Sequence, residues 1–278
     1  MTTAPQGART LAELAGPIVL VGAGKMGGAM LEGWLARGLD PKAVVIIEPQ
    51  PSREMTALAA QGLRLNPKDK IAHAAAVLIA VKPQVAPDVV PGLAPLVGGD
   101  TVVISIMAGR NLRFLEQALP SAAIIRTMPN TPAAIGRGIT VAVPNAKVSA
   151  RQRQLADALL AAAGEVAWID DEALMDAVTA VSGSGPAYVF LLAEALAEAG
   201  AAAGLPPDLA ARLARATVAG SGELLHRSDQ DAATLRKNVT SPGGTTAAAL
   251  EVLMARDGLA PLLTKAVAAA TTRSRDLA

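Results

Sequence analysis

The apolar positions of this chain fall into two textures. From Pro17 to about Ile169, short apolar and β-branched runs alternate with stretches of helical period: Ile18 to Val21, Val44 to Ile47, Ala76 to Val81, Thr101 to Ile106, Ala123 to Arg126, Ile139 to Val143 and Glu165 to Ile169. These runs predict strands. They are nearly continuous in apolar residues, where a half-exposed strand would alternate, so both faces of their sheet are covered. Right-handed crossovers put helices on both faces, and the expectation is a doubly wound α/β domain with a parallel sheet. After about Asp170 the β-branched runs disappear, Ala, Leu, Glu and Arg dominate, and helix punctuation stands at Gly200, at Gly204-Leu205-Pro206-Pro207 and at Ser241-Pro242-Gly243-Gly244. That half reads as all-helical, which divides the chain into residues 1–169 and 170–278. Leu191, Leu192, Ala195, Leu196 and Ala199 repeat at helical spacing, as one buried helix face would. Such a face ordinarily belongs to the chain's own core. The helical half nevertheless carries more apolar surface than one small bundle hides, and the excess predicts a dimer interface.

The first strand leads straight into Gly22-Ala23-Gly24-Lys25-Met26-Gly27 and then a helix. In a G-x-G-x-x-G loop between strand and helix, the first glycine makes a tight turn. The second lets backbone approach a pyrophosphate, the third brings helix against strand, and the helix N-terminus offers unpaired N–H groups. Here the loop follows the first strand of a complete α/β pattern, so it predicts a Rossmann-type dinucleotide site. Glu48 closes the second strand, where an acidic side chain accepts hydrogen bonds from the adenosine ribose and favours NAD(H). Ser52 and Arg53 lie just beyond and suit the 2′-phosphate of NADP(H), so the sequence leaves the two coenzymes open. The loops Ala80-Val81-Lys82-Pro83-Gln84 and Ser105-Ile106-Met107-Ala108-Gly109 end later strands and should border the same crevice, since ligands of open parallel sheets bind at the strands' carboxyl ends. Lys82 reads as a loop charge rather than a general acid.

Composition narrows the function further. The chain has 278 residues, 51% hydrophobic and 18% charged, which excludes a disordered protein. Its 25 basic and 24 acidic side chains leave a net charge of +1, and no like-charged run could track a nucleic acid backbone. There is no cysteine, and His73 and His226 are the two histidines, so thiolate chemistry and a zinc site are not expected. The longest uncharged apolar run, Ala74 to Val81, falls far short of the roughly 20 residues of a bilayer span. The first 16 residues, with Arg9 and Glu13, lack a continuous apolar core and do not read as a signal peptide. A cytoplasmic enzyme or binding protein is the expectation.

The second glycine cluster, Asn238-Val239-Thr240-Ser241-Pro242-Gly243-Gly244-Thr245-Thr246, precedes a helical stretch from Ala247 to Arg256. Pro242 is expected to open that helix, with Gly243 and Gly244 stripping its first turn of side chains. Exposed N–H groups and hydroxyls there suit a small carboxylate. Ser182-Gly183-Ser184-Gly185-Pro186 is expected to be a third loop of this kind, opening a long helix at Ala187. No histidine lies in any of these loops, and the single tyrosine, Tyr188, follows Pro186 inside a helix expected to be buried. A carbonyl reductase displays an acid to protonate a developing alkoxide. A protonated imine needs none, and positioning by its carboxylate, with one hydroxyl near the nitrogen, suffices. The inventory therefore favours imine reduction over ketone reduction.

These motifs, together with Val81-Lys82-Pro83-Gln84, Met128-Pro129-Asn130-Thr131-Pro132 and Ser182-Gly183-Ser184-Gly185-Pro186-Ala187-Tyr188, resemble pyrroline-5-carboxylate reductases in order and spacing over about residues 17 to 275. The resemblance implies NAD(P)H-dependent reduction of L-1-pyrroline-5-carboxylate to L-proline, the last step of proline biosynthesis. It also implies a C-terminal all-α dimerisation domain, a homodimer or a larger ring of dimers, and no metal. Carried over residue by residue, it assigns the coenzyme to Val21, Gly22, Ala23, Gly24, Lys25, Met26 and Gly27, to Ala80, Val81, Lys82 and Pro83, to Ala108 and Gly109, and to Asn238. It assigns the substrate carboxylate to Gly244, Thr245 and Thr246, the ring nitrogen to the Thr246 hydroxyl as the catalytic contact, and an acidic substrate-site position to Asp171. Thr245 stands where relatives often have alanine. Two other readings compete. A β-hydroxyacid dehydrogenase would need a lysine at the start of the long helix, and none lies between Ser182 and Gly204. A non-catalytic NAD(P) sensor would have no use for a second anion loop.

Overall fold

The computed structural model describes residues 14–71 and 73–277; Arg9 and Glu13 lie outside the described residues. The chain forms two compact units. One runs as far as Gly183 and is rejoined by the segment from Thr271, and the other is Ser184–Ala270.

The first unit is built on eight strands, β1 (Ile18–Val21), β2 (Val44–Ile47), β3 (Arg64–Leu65), β4 (Ala76–Ile79), β5 (Val102–Ser105), β6 (Ala123–Met128), β7 (Gly138–Pro144) and β8 (Gly164–Trp168), in the order β3-β2-β1-β4-β5-β6-β7-β8. Strand order reverses between β1 and β4, which pair in parallel from Ile18↔Ala76 to Val21↔Ile79. That is where a doubly wound sheet opens a ligand crevice at its carboxyl edge. Alternate residues of each central strand feed two separate cores. Ile18, Leu20, Ile46, Leu78 and Ile104 pack with Met30 and Trp34 of helix α1 (Lys25–Ala36). Val19, Val21, Val77, Ile79 and Val103 pack on the opposite face with Ala86, Val90, Leu93 and Leu115. Both faces are therefore covered, as continuous apolar strands require. Trp34 locks α1 down, because its buried Nε1–H donates to the Leu159 carbonyl at 2.8 Å.

The sheet departs from the parallel expectation at one place: β7 runs antiparallel to β6, while β7 and β8 are parallel. The cause is the connection. Parallel neighbours need a crossover of a dozen or more residues, and residues 129–137 hold only a 3₁₀ turn, Thr131–Ile135, closed by Gly136 in the left-handed conformation at φ 67°. β3 was not expected, because two residues carry no readable period.

Five further helices of this unit are α2 (Arg53–Ala59), α3 (Ala86–Val89), α4 (Leu112–Ala118), α5 (Ala150–Leu160) and α6 (Met175–Val178). From α6 the chain passes directly into a π-helical turn, Thr179–Gly183. The expected loop at Ser182 is thus helical, and the Ser182 hydroxyl donates back to the Val178 carbonyl at 3.0 Å. Gly183 packs under the end of the Met128 side chain, whose Cε stands 2.5 Å from a Cβ position.

The second unit holds α7 (Gly185–Ala202), α8 (Pro207–Arg227), α9 (Ala232–Asn238), α10 (Thr245–Leu253) and most of α11 (Leu259–Asp276). Helix α7 starts at Gly185, two residues before the expected Ala187. It stops at Gly204, whose φ of 100° no side chain favours. There the Leu205 N–H donates to Gly200 O at 3.1 Å and the Gly204 N–H to Ala201 O at 3.0 Å, the Schellman arrangement. The repeating Leu191 face is not the chain's own core. No residue of α7 is buried, and Phe190, Leu191 and Leu192 are 67%, 62% and 52% exposed. The helical run Glu172–Ala202 is also long and apolar enough to cross a membrane, by length and composition alone.

Candidate functional site

Each unit carries part of the predicted site. In the first, Gly22 to Gly27 join β1 to α1, and three glycines serve three different ends. Gly22 sits at φ 85°, and a Cβ on it would stand 2.8 Å from Ala80 O. Gly27 is packed on the turn itself, with Gly22 O only 2.4 Å from a Cβ position. Gly24 differs, because its φ is an ordinary −66° and nothing lies within 4 Å of where its Cβ would be. The fold does not require glycine at 24, and the bare backbone there stands open. A pyrophosphate lying on the backbone fits that space.

The start of α1 points the same way. Gly24 is its N-cap and provides no side-chain hydrogen bond, and the first turn has no acidic residue. Instead Lys25 is its first residue, exposed, where a cation opposes the helix dipole. Unpaired amides and an unfavourably placed ammonium are both relieved by one anion. The residues present therefore fit a dinucleotide.

The other predicted contacts of this unit converge on the same edge. The Ala80 N–H donates to Val21 O at 2.7 Å, the Gly22 N–H to Ile47 O at 2.9 Å and the Ile106 N–H to Ile79 O at 3.0 Å. Ladder bonds thus carry β1, β4 and β5 into the loops of Val21, of Ala80 to Pro83 and of Ala108 and Gly109. Glu48 reaches the glycine loop directly, its Oε2 accepting the Ala23 N–H at 2.8 Å and its Oε1 the Gln50 N–H at 3.0 Å. Ser52 caps α2, accepting the Met55 N–H at 3.2 Å, and Arg53 is the exposed first residue of that helix. Lys82 is exposed on its loop.

Sequence reasoning passed over Arg110. Its Nε and Nη2 both donate to Pro83 O, at 2.9 and 2.7 Å, and its guanidinium lies 4.8 Å from the Phe114 ring centre. This side chain ties the Lys82-Pro83 loop to the Gly109 loop, where Gly109 turns at φ 69°. An arginine directly after a strand-ending glycine was the available signal. Asp171, the predicted acidic contact, is exposed and accepts the Ala173 N–H at 2.9 Å. Its neighbour Glu172 is the inward one, accepting from Leu112 N–H and from the buried Arg126, both at 2.7 Å.

In the second unit the expected Pro242 helix start is corrected. Ser241-Pro242-Gly243-Gly244 is a turn, closed by the Gly244 N–H on Ser241 O at 3.1 Å, with Gly243 at φ 69°. Proline second and a left-handed glycine third are what a type II turn demands. Helix α10 begins after it at Thr245, with Gly244 as an N-cap that makes no side-chain bond. The turn thus presents Gly244, Thr245 and Thr246 at an uncapped helix start, a second anion-suited terminus. Asn238 ends α9 and donates from Nδ2 to Gln230 Oε1 at 2.9 Å.

Comparison with known proteins follows both halves. Residues 172–277 match the family model for pyrroline-5-carboxylate reductase dimerisation, and residues 17–109 that for NADP oxidoreductase, coenzyme F420-dependent. The pyrroline-5-carboxylate reductase of Synechocystis is 42% identical over 260 residues, covering 90% of this chain and 96% of that protein. That of Pseudomonas aeruginosa is 40% identical over 266 residues, covering 94% and 96%. Among solved structures, the pyrroline-5-carboxylate reductase of Coxiella burnetii superposes with a TM-score of 0.87 at 33% identity, covering 95% of this chain and 98% of that one. The Plasmodium falciparum pyrroline carboxylate reductase with NADP bound gives 0.78 at 30% identity, again covering 95% and 98%.

Proposed function

The chain belongs to the pyrroline-5-carboxylate reductase family, and we propose that it reduces L-1-pyrroline-5-carboxylate to L-proline, with the coenzyme at the uncapped start of α1 and the substrate carboxylate at that of α10. NAD(P)H, when bound, supplies the hydride. The observation that carries the reading is Gly24, whose missing side chain leaves open space on the backbone beside an uncapped helix N-terminus.

The chain's own residues then have three tasks. The glycine loop Gly22 to Gly27 receives the pyrophosphate at the amides that open α1, with Lys25 beside them, while Val21, Ala80 to Pro83, Ala108 and Gly109 border the rest of the coenzyme. The backbone of Gly244, Thr245 and Thr246 receives the substrate carboxylate, and the Thr246 hydroxyl orients the ring nitrogen. Asn238 contributes from the end of α9, and Asp171 enters with Oδ1 already accepting an amide. Oriented dipoles suffice, because hydride addition to a protonated imine neutralises charge at carbon and nitrogen and calls for no proton donor.

The chain forms a homodimer through its helical region, which the dimerisation family model spans. A second subunit accounts for the exposed Phe190, Leu191 and Leu192 of α7 better than a bilayer does. Our reading extends to a cytoplasmic enzyme with no membrane or nucleic acid partner, and to rings of dimers as a higher assembly.

The test is steady-state turnover by the purified dimer, read as oxidation of NADPH or NADH with pyrroline-5-carboxylate or 3-keto acids and as reduction of NADP+ or NAD+ with 3-hydroxy acids. Turnover with pyrroline-5-carboxylate, and none with 3-hydroxy acids or their ketones, is expected. Turnover of a 3-hydroxy acid would replace the proposal with a β-hydroxyacid dehydrogenase, and coenzyme binding without turnover of any of them would leave a sensor.

A further inference from the structure

We infer that Asn66 is a positioning residue for coenzyme choice: it holds Glu48 against the glycine loop so that the carboxylate receives a ribose hydroxyl and repels a 2′-phosphate. The inference rests on the coenzyme site proposed above.

Asn66 is the single non-glycine residue with positive φ among the described residues, at 45°. Asparagine is one of the few residues that tolerate this region, and an ordered residue held there points to a local purpose. The turn directs its side-chain amide back onto the end of β2. The Glu48 N–H donates to Asn66 Oδ1 at 2.9 Å, and Asn66 Nδ2 donates to Glu48 O at 2.8 Å. One amide thereby pairs with both backbone groups of Glu48, as a neighbouring strand would. Its own N–H donates to Ile46 O at 2.8 Å. The β2–β3 ladder ends at Ile46↔Leu65, and Pro67, with no N–H, could not extend it. Asn66 carries the pairing on to Glu48 with a side chain.

The consequence lies at the carboxylate. Glu48 is fixed at its backbone by Asn66 and at both oxygens by the Ala23 and Gln50 amides. The carboxylate cannot swing aside for a 2′-phosphate without breaking bonds on two segments, whereas a ribose hydroxyl can donate to an oxygen already in place. Of the groups suited to a 2′-phosphate, the Ser52 hydroxyl already caps α2, which leaves Arg53 as the opposing influence.

The experiment measures dissociation constants of NADH and NADPH by calorimetry on the intact dimer, with kcat/KM for both coenzymes beside them. Asn66→Gly keeps the left-handed backbone and removes only the amide, and Asn66→Ala removes it with added strain. Either should shift the NADPH-to-NADH preference toward NADPH by about tenfold, the scale of one displaced like charge near a protein surface. A purely structural role would lower Tm and weaken both coenzymes alike. Glu48→Ala should shift the ratio at least as far, and adding Asn66→Gly to it should then change nothing, because Asn66 acts only through Glu48. An unchanged ratio in whichever Asn66 variant folds, or an additive double variant, overturns the inference. If Glu48→Ala alone shifts the ratio, the inference falls and the coenzyme site stands; if the wild-type dimer binds neither coenzyme, the site itself falls.

Discussion

The glycine loop makes opposite predictions for its first two glycines. Gly24→Ala places a methyl group where nothing lies within 4 Å, on a backbone of φ −66° that alanine accepts. The loss of a glycine N-cap and the gain from a stiffer unfolded chain nearly offset each other, so folding stability changes by about 1 kcal/mol at most. The methyl does, however, occupy the approach to the backbone amides. Losing one or two charge-assisted hydrogen bonds costs about 2 to 4 kcal/mol, or roughly 30- to 700-fold in NADPH affinity. Gly22→Ala inverts the pattern. Its φ of 85° and the fixed Ala80 carbonyl 2.8 Å away cost about 3 kcal/mol in left-handed strain and overpacking. For a protein of this size that lowers Tm by roughly 6 to 12 °C. Calorimetric Tm of the free protein and NADPH titration, run on both variants, separate the two effects. The reasoning is refuted if Gly24→Ala binds NADPH as wild type does, or if it melts as early as Gly22→Ala.

Two further outcomes are expected. Thr246→Ala should lower kcat/KM for pyrroline-5-carboxylate by about one to three powers of ten through loss of one oriented hydrogen bond, with NADPH affinity little changed, while Thr245→Ala serves as the control in steady-state assays; the reverse ranking would move the hydroxyl role to Thr245. Trp34→Phe should remove the Nε1–H bond to the Leu159 carbonyl and leave that buried acceptor unpaired, at about 2 to 3 kcal/mol. Thermal melting of this variant at near wild-type temperature would show that the α1 contact contributes little.

What the sequence made legible was whatever depends on a residue's own neighbours along the chain. Ile18–Val21 and Val44–Ile47 were readable to the residue, because strands buried on both faces must be apolar throughout. The direction of β7 was not written in its residues at all; it follows from the shortness of residues 129–137. The Leu191 face of α7 showed its period plainly, but a period reports that a face is covered and not by what. Its Leu191 is 62% exposed in the chain by itself, and it lies in the region that matches the family's dimerisation model. The Ser182 segment was misread as a loop because small residues mark loops and close helix packing alike, and the π-helical turn with the Ser182 hydroxyl on the Val178 carbonyl tells them apart.

The same limit explains why the site was half legible. The motif assigns Gly22 and Gly27 to the fold and Gly24 to a ligand, and the surroundings of each glycine agree. Gly22 and Gly27 answer to Ala80 and to the turn itself, so any Rossmann-type turn, liganded or empty, would keep them. Gly24 and Lys25 answer to nothing inside the chain: one forgoes a side chain where there is room, the other sets a cation at the positive end of a helix. Asn66 adds a residue from 18 positions beyond Glu48, and no local pattern joins the two. Residues of a binding site are best recognised where the protein's own packing fails to justify them, and on that criterion the dinucleotide claim rests more on Gly24 than on the motif that contains it.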